Sequence, residues 1–162
     1  METPIDIQIS SVREVRRLSE VHRWELMLYD GSPVDIEISV DFVRTPEGKL
    51  RLQIGAHYTF LRAQVMRPLL DYVIEVNFHI PELDTIADIH DGQMLIDPQA
   101  LAMMMGIALG ALRVMVALRT EGSALGRHPI PIMSIAELIT QLAPSPASPS
   151  ATIRITGSRP TH

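Results

Sequence analysis

Apolar and polar residues alternate strictly over three stretches of the chain. These are Val34, Ile36, Ile38, Val40, Phe42, then Leu50, Leu52, Ile54, Ala56, Tyr58, Phe60, then Tyr72, Ile74, Val76, Phe78, Ile80. A period of two sends successive side chains to opposite faces, so each stretch predicts a half-buried strand. An earlier strand is predicted from Ile5 to Ser11 or a little beyond, on the alternation of Ile5, Ile7 and Ile9. Between the first two long strands, Thr45-Pro46-Glu47-Gly48-Lys49 puts proline where a type I turn favours it and glycine where a bulge needs positive φ. Thr45 is therefore expected opposite Lys49, which pairs Phe42 with Leu52, Val40 with Ile54, Ile38 with Ala56 and Ile36 with Tyr58. That register puts every apolar residue on one face, and turn and pattern agree.

The pattern then changes from period two to a continuous apolar run. From Ala100 to Leu118 every position is apolar except Arg113. Asp97 is placed to cap the orphan N–H groups of a helix, Pro98 suits its first turn, and Gly122 is a natural left-handed stop. A surface helix shows one apolar stripe, whereas this one is apolar all round. A domain of this length buries only about 70% of its unfolded surface, so the second face of the helix is expected to pack on another copy. Ala102, Gly106 and Gly110 recur at four-residue spacing and would let another backbone approach, and they form the expected oligomer interface together with Arg113. Each helical glycine costs about 1 kcal/mol, which calls for a packing reason. A transmembrane reading would put Arg113 at depth at a cost of roughly 2.5–3.5 kcal/mol, so membrane insertion is not expected.

The remaining segments are shorter. Residues 13 to 30 read as a crossover of mixed structure: Val15, Leu18 and Val21 have helical spacing, while Trp24, Leu26 and Leu28 alternate like a strand. Pro129 and Pro131 force an extended link after the long helix. Ser134 then caps a short helix through Ile135, Leu138, Ile139 and Leu142, with Glu137 in the capping-box position. From Ala143 the chain turns to alanine, serine and proline. This divides it into a folded domain, 1–142, and a mobile tail, 143–162, in which Ile153-Arg154-Ile155 carries a short strand pattern.

Composition narrows the function classes. A net charge of -5 argues against electrostatic binding of nucleic acid. The chain has no cysteine, hence no disulfide, and its first residues lack the charged and apolar regions of a signal peptide, so a cytoplasmic setting is expected. Nine methionines against one tryptophan, three tyrosines and three phenylalanines supply flexible apolar surface, useful in cores and on adaptable binding faces alike.

The order of strands, long helix with an arginine near its middle, glycine, proline-containing link and short helix resembles the SecB family of protein-export chaperones. The likeness is sharpest at Ala111-Leu112-Arg113, Leu118, Gly122, Pro131 and Leu138, where that family has an Ala-Arg pair, a helix-ending glycine, a link proline and a leucine in the last helix. It covers roughly residues 5 to 142. It implies an α+β fold, a four-stranded antiparallel sheet packed on the long helix and the short second helix, assembled as a homotetramer, a dimer of dimers, through the long helices. Two features depart from the family: Ala108-Leu109-Gly110 replaces the aromatics that usually precede the arginine, and the Ser/Pro-rich tail lacks the metal-binding motif that engages the translocase motor. The implied role is therefore holding unfolded polypeptide clients without ATP, either for export or, as in SecB-like chaperones of toxin-antitoxin systems, beside an antitoxin.

The resemblance implies a client groove between the crossover and the second helix, formed here by Leu18, Val21, Trp24, Leu26, Ile135, Leu138 and Ile139. It also implies a partner surface on the other face of the sheet, here acidic: Asp35, Glu37, Asp41, His57 and Glu75. The expected register sets Glu37 opposite His57, and the next hairpin is expected to bring Glu75 beside His57 as well, making that histidine a candidate responder to mild acid. No nucleophile motif, phosphate loop or metal-ligand spacing accompanies it, so neither catalysis nor a cofactor or metal is expected. The other reading of the same pattern is a small-ligand binding or thioesterase-like oligomer with the sheet wrapped around the long helix, although in such proteins the helix normally comes earlier, among the strands.

Overall fold

A computed structural model describes residues 4–29, 33–45, 47–90, 93–141 and 150–156. The chain runs β1 (Gln8–Ser19), α1 (Val21–Tyr29), β2 (Val34–Arg44), β3 (Leu50–Arg62), β4 (Val65–His79), α2 (Leu83–Ile86), β5 (Ala87–His90), β6 (Gln93–Ile96), α3 (Pro98–Thr120), a 3-10 turn (Ala124–Arg127), α4 (Ile135–Gln141) and β7 (Ser150–Thr156). The fold is α+β. Four antiparallel strands in the order β1-β4-β3-β2 make the sheet, β7 extends it beyond β2, and β5-β6 form a separate hairpin.

The alternating pattern explains the central strands. Ile36, Ile38, Leu52, Ile54, Tyr58, Tyr72, Ile74 and Phe78 face inward and are fully buried. The β2–β3 register is the expected one throughout, from Ile36↔Tyr58 to Phe42↔Leu52. Its turn closes as the sequence predicts: the Thr45 N–H donates to the Lys49 carbonyl at 2.8 Å, and Gly48 has φ +72°. Pro46, the residue assigned to the turn's second position, lies outside the described residues.

The β3–β4 hairpin differs from the expectation. It turns on Ala63 and Gln64, both with positive φ, residues that carry none of the usual Asn-Gly signal. The tight turn alone would set His57 against an inward residue. One extra residue, Leu69, corrects this: the ladder steps from Thr59↔Pro68 to Tyr58↔Leu70, and His57 faces Asp71. Pro68, which has no N–H to give the ladder, sits beside the bulge, where proline is tolerated. The Leu69 carbonyl accepts from the Glu20 N–H at 2.8 Å, tying the bulge to the end of β1.

Residues 13–29 resolve against their local spacing. Val15 and Leu18 lie in the long β1, while Trp24, Leu26 and Leu28 lie in α1. β1 is irregular, with register shifts between Ile9/Ser11 and between Glu14/Arg16, and each bulge breaks the period of two that would have marked a strand. The β5–β6 hairpin has no counterpart among the predicted elements; its four-residue strands are too short for periodicity to register. Residues 150–156 of the expected tail form β7, antiparallel to β2, which pairs the backbone groups β2 would otherwise leave open at a sheet edge. The rest of that tail, and Leu142, lie outside the described residues.

The long helix begins and ends where its caps predict. The Asp97 carboxylate accepts from the Gln99 and Ala100 N–H groups at 3.0 and 3.1 Å, Pro98 opens the helix, and Gly122 has φ +76° just beyond its end. One stripe, Ala100, Met104, Met105, Ala108, Leu109, Leu112 and Val116, packs on the sheet through β3 and β4. Leu112, with none of its surface exposed, sits in the middle of that stripe. Leu112→Ala should cost about 2–5 kcal/mol through lost burial and the cavity left behind. Urea denaturation checks this as a lowered midpoint.

Candidate functional site

The sheet separates two surfaces of different chemistry. All four helices contribute to a single core on its inner side: Val21 and Leu28 from α1, Leu83 and Ile86 from α2, the α3 stripe, and Leu138 from α4. That core leaves much apolar surface uncovered. On α3, Met103, Val114 and Leu118 are exposed, the last two by 61% and 66%, and Gly106 and Gly110 share their side of the helix. A Cβ added at either glycine meets no heavy atom of the described residues within 4 Å, so none of these requires glycine there. Of the expected interface, Ala102 and Arg113 are half-buried. α3 is also long and apolar enough to span a membrane, but a third of its most apolar window is buried on the sheet.

Ile9, Val12, Val15 and Leu18 are exposed on β1 but do not share a face: Ile9 and Val12 pair with the inward Phe78 and Val76, and Leu18 pairs with the outward Asp71. Leu61, Val65 and Met66 are exposed at the β3–β4 hairpin tip. Of these, sequence reasoning singled out Leu18 for the groove and missed the hairpin tip, because exposed apolar residues on short segments leave no periodic trace.

The predicted groove residues divide between core and surface. Val21 and Leu138 are buried; Trp24, Ile135 and Ile139 are half-buried; Leu18 and Leu26 are exposed, Leu26 by 82%. Trp24 meets Phe60 edge-on at 5.4 Å, with the Arg62 and Arg67 guanidinium groups over its ring at 5.2 and 5.9 Å. α1 rests on β4 and the 3-10 turn, where Arg127 lies over Tyr29, whereas α4 rests on α3. The two halves of the expected groove thus have different supports. An open depression of about 540 Å³ runs along α1 itself, lined by His22, Trp24, Leu26 and Tyr29 among others.

The outer face is polar but not a bare acidic surface. Glu75 lies opposite Gln53 rather than beside His57, and its side chain is only 2% exposed. It accepts from Arg13 at 2.9 Å, Gln53 at 3.1 Å and Asn77 at 3.2 Å, with Arg51 at 3.5 Å. Burial pulls its pKa up, but the hydrogen bonds from Gln53, Arg13 and Asn77 and the charge of Arg51 outweigh burial and hold it below the ordinary carboxylate value. Glu75 is therefore a tie between β1, β3 and β4. Asp35, Glu37 and Asp41 on β2 lie between β3 and β7, where Glu37 faces His57 on one side and Arg154 on the other in the ladder.

His57 does meet a carboxylate, that of Asp71. Its Nδ1 lies 2.7 Å from Asp71 Oδ1, and its Nε2 lies 2.8 Å from Ser39 Oγ. Arg16 grips the same carboxylate through Nε at 2.9 Å and Nη2 at 3.1 Å. A further cluster joins β1 to the end of α3: Tyr72 donates to Glu14 at 2.7 Å and Arg119 to the same oxygen at 3.0 Å. The Tyr72 bond, with Arg119, holds the Glu14 pKa down against burial, and burial with the Glu14 bond holds that of Tyr72 up.

No family model and no curated protein matches the chain.

Glu75 supplies a pH test. Its pKa is lowered from 4.5 on folding, so its contribution to stability is fully present above about pH 4.5 and is lost as the pH falls through the folded value. Glu75→Gln should destabilise by about 1.5–3 kcal/mol near neutrality, and the difference from the parent should shrink as the pH drops below 4.5. Urea titrations of both proteins across that range measure it; a difference that stays constant with pH would refute the assignment.

Proposed function

We propose that this chain is a cytoplasmic, ATP-independent holdase that binds unfolded polypeptides, in the manner its resemblance to SecB implies. The observation that supports the reading is the uncovered apolar surface on α3, β1 and α1 beside a complete hydrophobic core. Leu18, Leu26, Val114 and Leu118 stand in water, and apolar surface gathered into patches marks protein-binding sites. The α3 face carries assembly, as a dimer of dimers through the long helices. The α1 and β1 surfaces carry clients.

The mechanism needs no chemistry. Each apolar client side chain buried contributes at most about 1.5–3 kcal/mol. Several such contacts spread over an oligomer accumulate through effective concentration, giving tight holding with little sequence preference. The outer sheet face takes a partner, either the translocase motor or an antitoxin.

Light scattering of a chemically denatured client diluted with and without the chain tests the function, after native mass spectrometry has fixed its own mass. Aggregation should be suppressed near one tetramer per client with no ATP added. Failure to protect several unrelated clients refutes the reading. Gly106→Leu with Gly110→Leu should lower the assembled mass while leaving the single chain folded, since a Cβ at either position meets no heavy atom of the described residues within 4 Å and leucine favours the helix over glycine by about 1 kcal/mol per position. An unchanged mass would remove α3 from the interface.

A further inference from the structure

Ser39, His57 and Asp71 come from three adjacent strands, β2, β3 and β4, and meet on the outer face of the sheet. Both ring nitrogens of His57 are used, one at each end of a line of three residues. A carboxylate can only accept, so Nδ1 carries the ring proton and donates it to Asp71 at 2.7 Å. In that tautomer Nε2 has a free lone pair, aimed at Ser39 Oγ at 2.8 Å. Asp71 is itself fixed by two bonds from Arg16. This is the arrangement by which a base activates a hydroxyl nucleophile and a third group orients the base.

Gly55 is a second, independent observation. It lies inside β3, where glycine weakens a strand and often marks a close approach. A Cβ there would come 2.7 Å from Ser39 Oγ, 3.0 Å from His57 Nε2 and 2.9 Å from Val73 Cγ2. The hydroxyl and imidazole thus cross directly over the one residue of β3 that leaves them room. The side chains of His57 and Asp71 remain 23% and 30% exposed, and the helices pack against the opposite face of the sheet.

We propose that Ser39, His57 and Asp71 form an acyl-transfer site, with Ser39 as nucleophile, His57 as general base and Asp71 as its orienting carboxylate. Ser39 Oγ attacks the carbonyl carbon of an ester or thioester while its proton passes to His57 Nε2. The carbonyl re-forms as the C–O or C–S bond to the leaving group breaks. The leaving group departs with the proton from His57 Nε2, or as its anion while His57 gives that proton to solvent, so that Nε2 is again free to accept. Water then attacks the acyl-serine by the same route, returning Ser39 and releasing the acid. The sum is hydrolysis, with no other reactant required.

The surroundings define the substrate class. Ser39 pairs with Gly55 on β3 and with Thr152 on β7, so its backbone belongs to the ladder on both sides rather than to an oxyanion hole. Lacking such a donor costs about 10²–10³ in rate. The site therefore suits activated acyl donors, aryl esters and thioesters, whose leaving groups tolerate that loss, and not amides. The site lies on the outer face that the holdase reading gives to a partner, with Leu18 paired to Asp71, but it requires no assembly through α3, and acetylation of Ser39 is read without any client or partner.

The probe is p-nitrophenyl acetate, added to the full chain, with nitrophenolate release followed by absorbance and the acetyl group located by peptide mass spectrometry. Ser39 should acetylate about 100-fold faster than Ser134, an exposed serine whose hydroxyl accepts from the Glu137 N–H. Ser39→Ala should abolish that label, and His57→Gln or Asp71→Asn should slow it about 100-fold with the circular dichroism unchanged. Acetyl groups on other residues only, or a Ser39 rate no greater than that of Ser134 in the parent protein, would overturn the proposal without any variant having to fold.

Discussion

The structure depends on one mismatch: a helix apolar on all sides set against a sheet that can cover only one of them. α3 buries the stripe from Ala100 to Val116 on β3 and β4, and each large side chain in it contributes about 1.5–3 kcal/mol of burial. The opposite side keeps Met103, Val114 and Leu118 in water together with two glycines that none of the described residues requires. A helix built for stability of the single chain alone would carry charge there. The composition of α3 thus carries one contact satisfied within the chain and leaves a second apolar side, which the proposed reading assigns to assembly.

The outer face is organised by a different constraint. Charges of both signs meet there, and the buried carboxylate of Glu75 is hydrogen-bonded from β1, β3 and β4 at once, with Arg13 and Arg51 supplying the opposite charge. Removing one partner of such a group leaves the others with an uncompensated charge. Arg13 and Arg16 of β1 supply much of the positive charge, and their bonds to Glu75 and Asp71 hold that bulged edge strand to the sheet from the polar side while Glu14 holds it to Arg119 from the other.

Most of the fold is legible in the sequence wherever periodicity and end signals coincide. The β2–β3 hairpin, its register and both ends of α3 follow from alternation, from Gly48, and from Asp97, Pro98 and Gly122. Legibility fails where the chain breaks its own period. β1 is bulged twice, so Val15 and Leu18 fall at helical spacing inside a strand, and nine residues of α1 are too few for a helical pattern to outweigh Trp24, Leu26 and Leu28. The polar face was readable as a set of residues but not as a set of contacts. Its pairing hangs on an Ala63-Gln64 turn with no glycine or asparagine and on one extra residue at Leu69, and neither has a sequence signature. Glu75 was therefore expected where Asp71 stands, and the serine beside His57 went unseen.

β3 is where the two surfaces become one problem. Its inward residues Ile54, Ala56 and Tyr58 support α3, and its outward residues Gln53, Gly55 and His57 carry the polar contacts. A slip of one residue would turn the first set to water and the second into the core, because the side-chain period is two. The Leu69 bulge prevents that slip on the β4 side, and the Thr45–Lys49 turn prevents it on the β2 side. The same two devices thus fix both the face that supports the apolar helix and the face on which Ser39, His57 and Asp71 meet. A change at either turn should be felt on both sides of the sheet at once, whereas a change on one face reaches the other only through the strand they share.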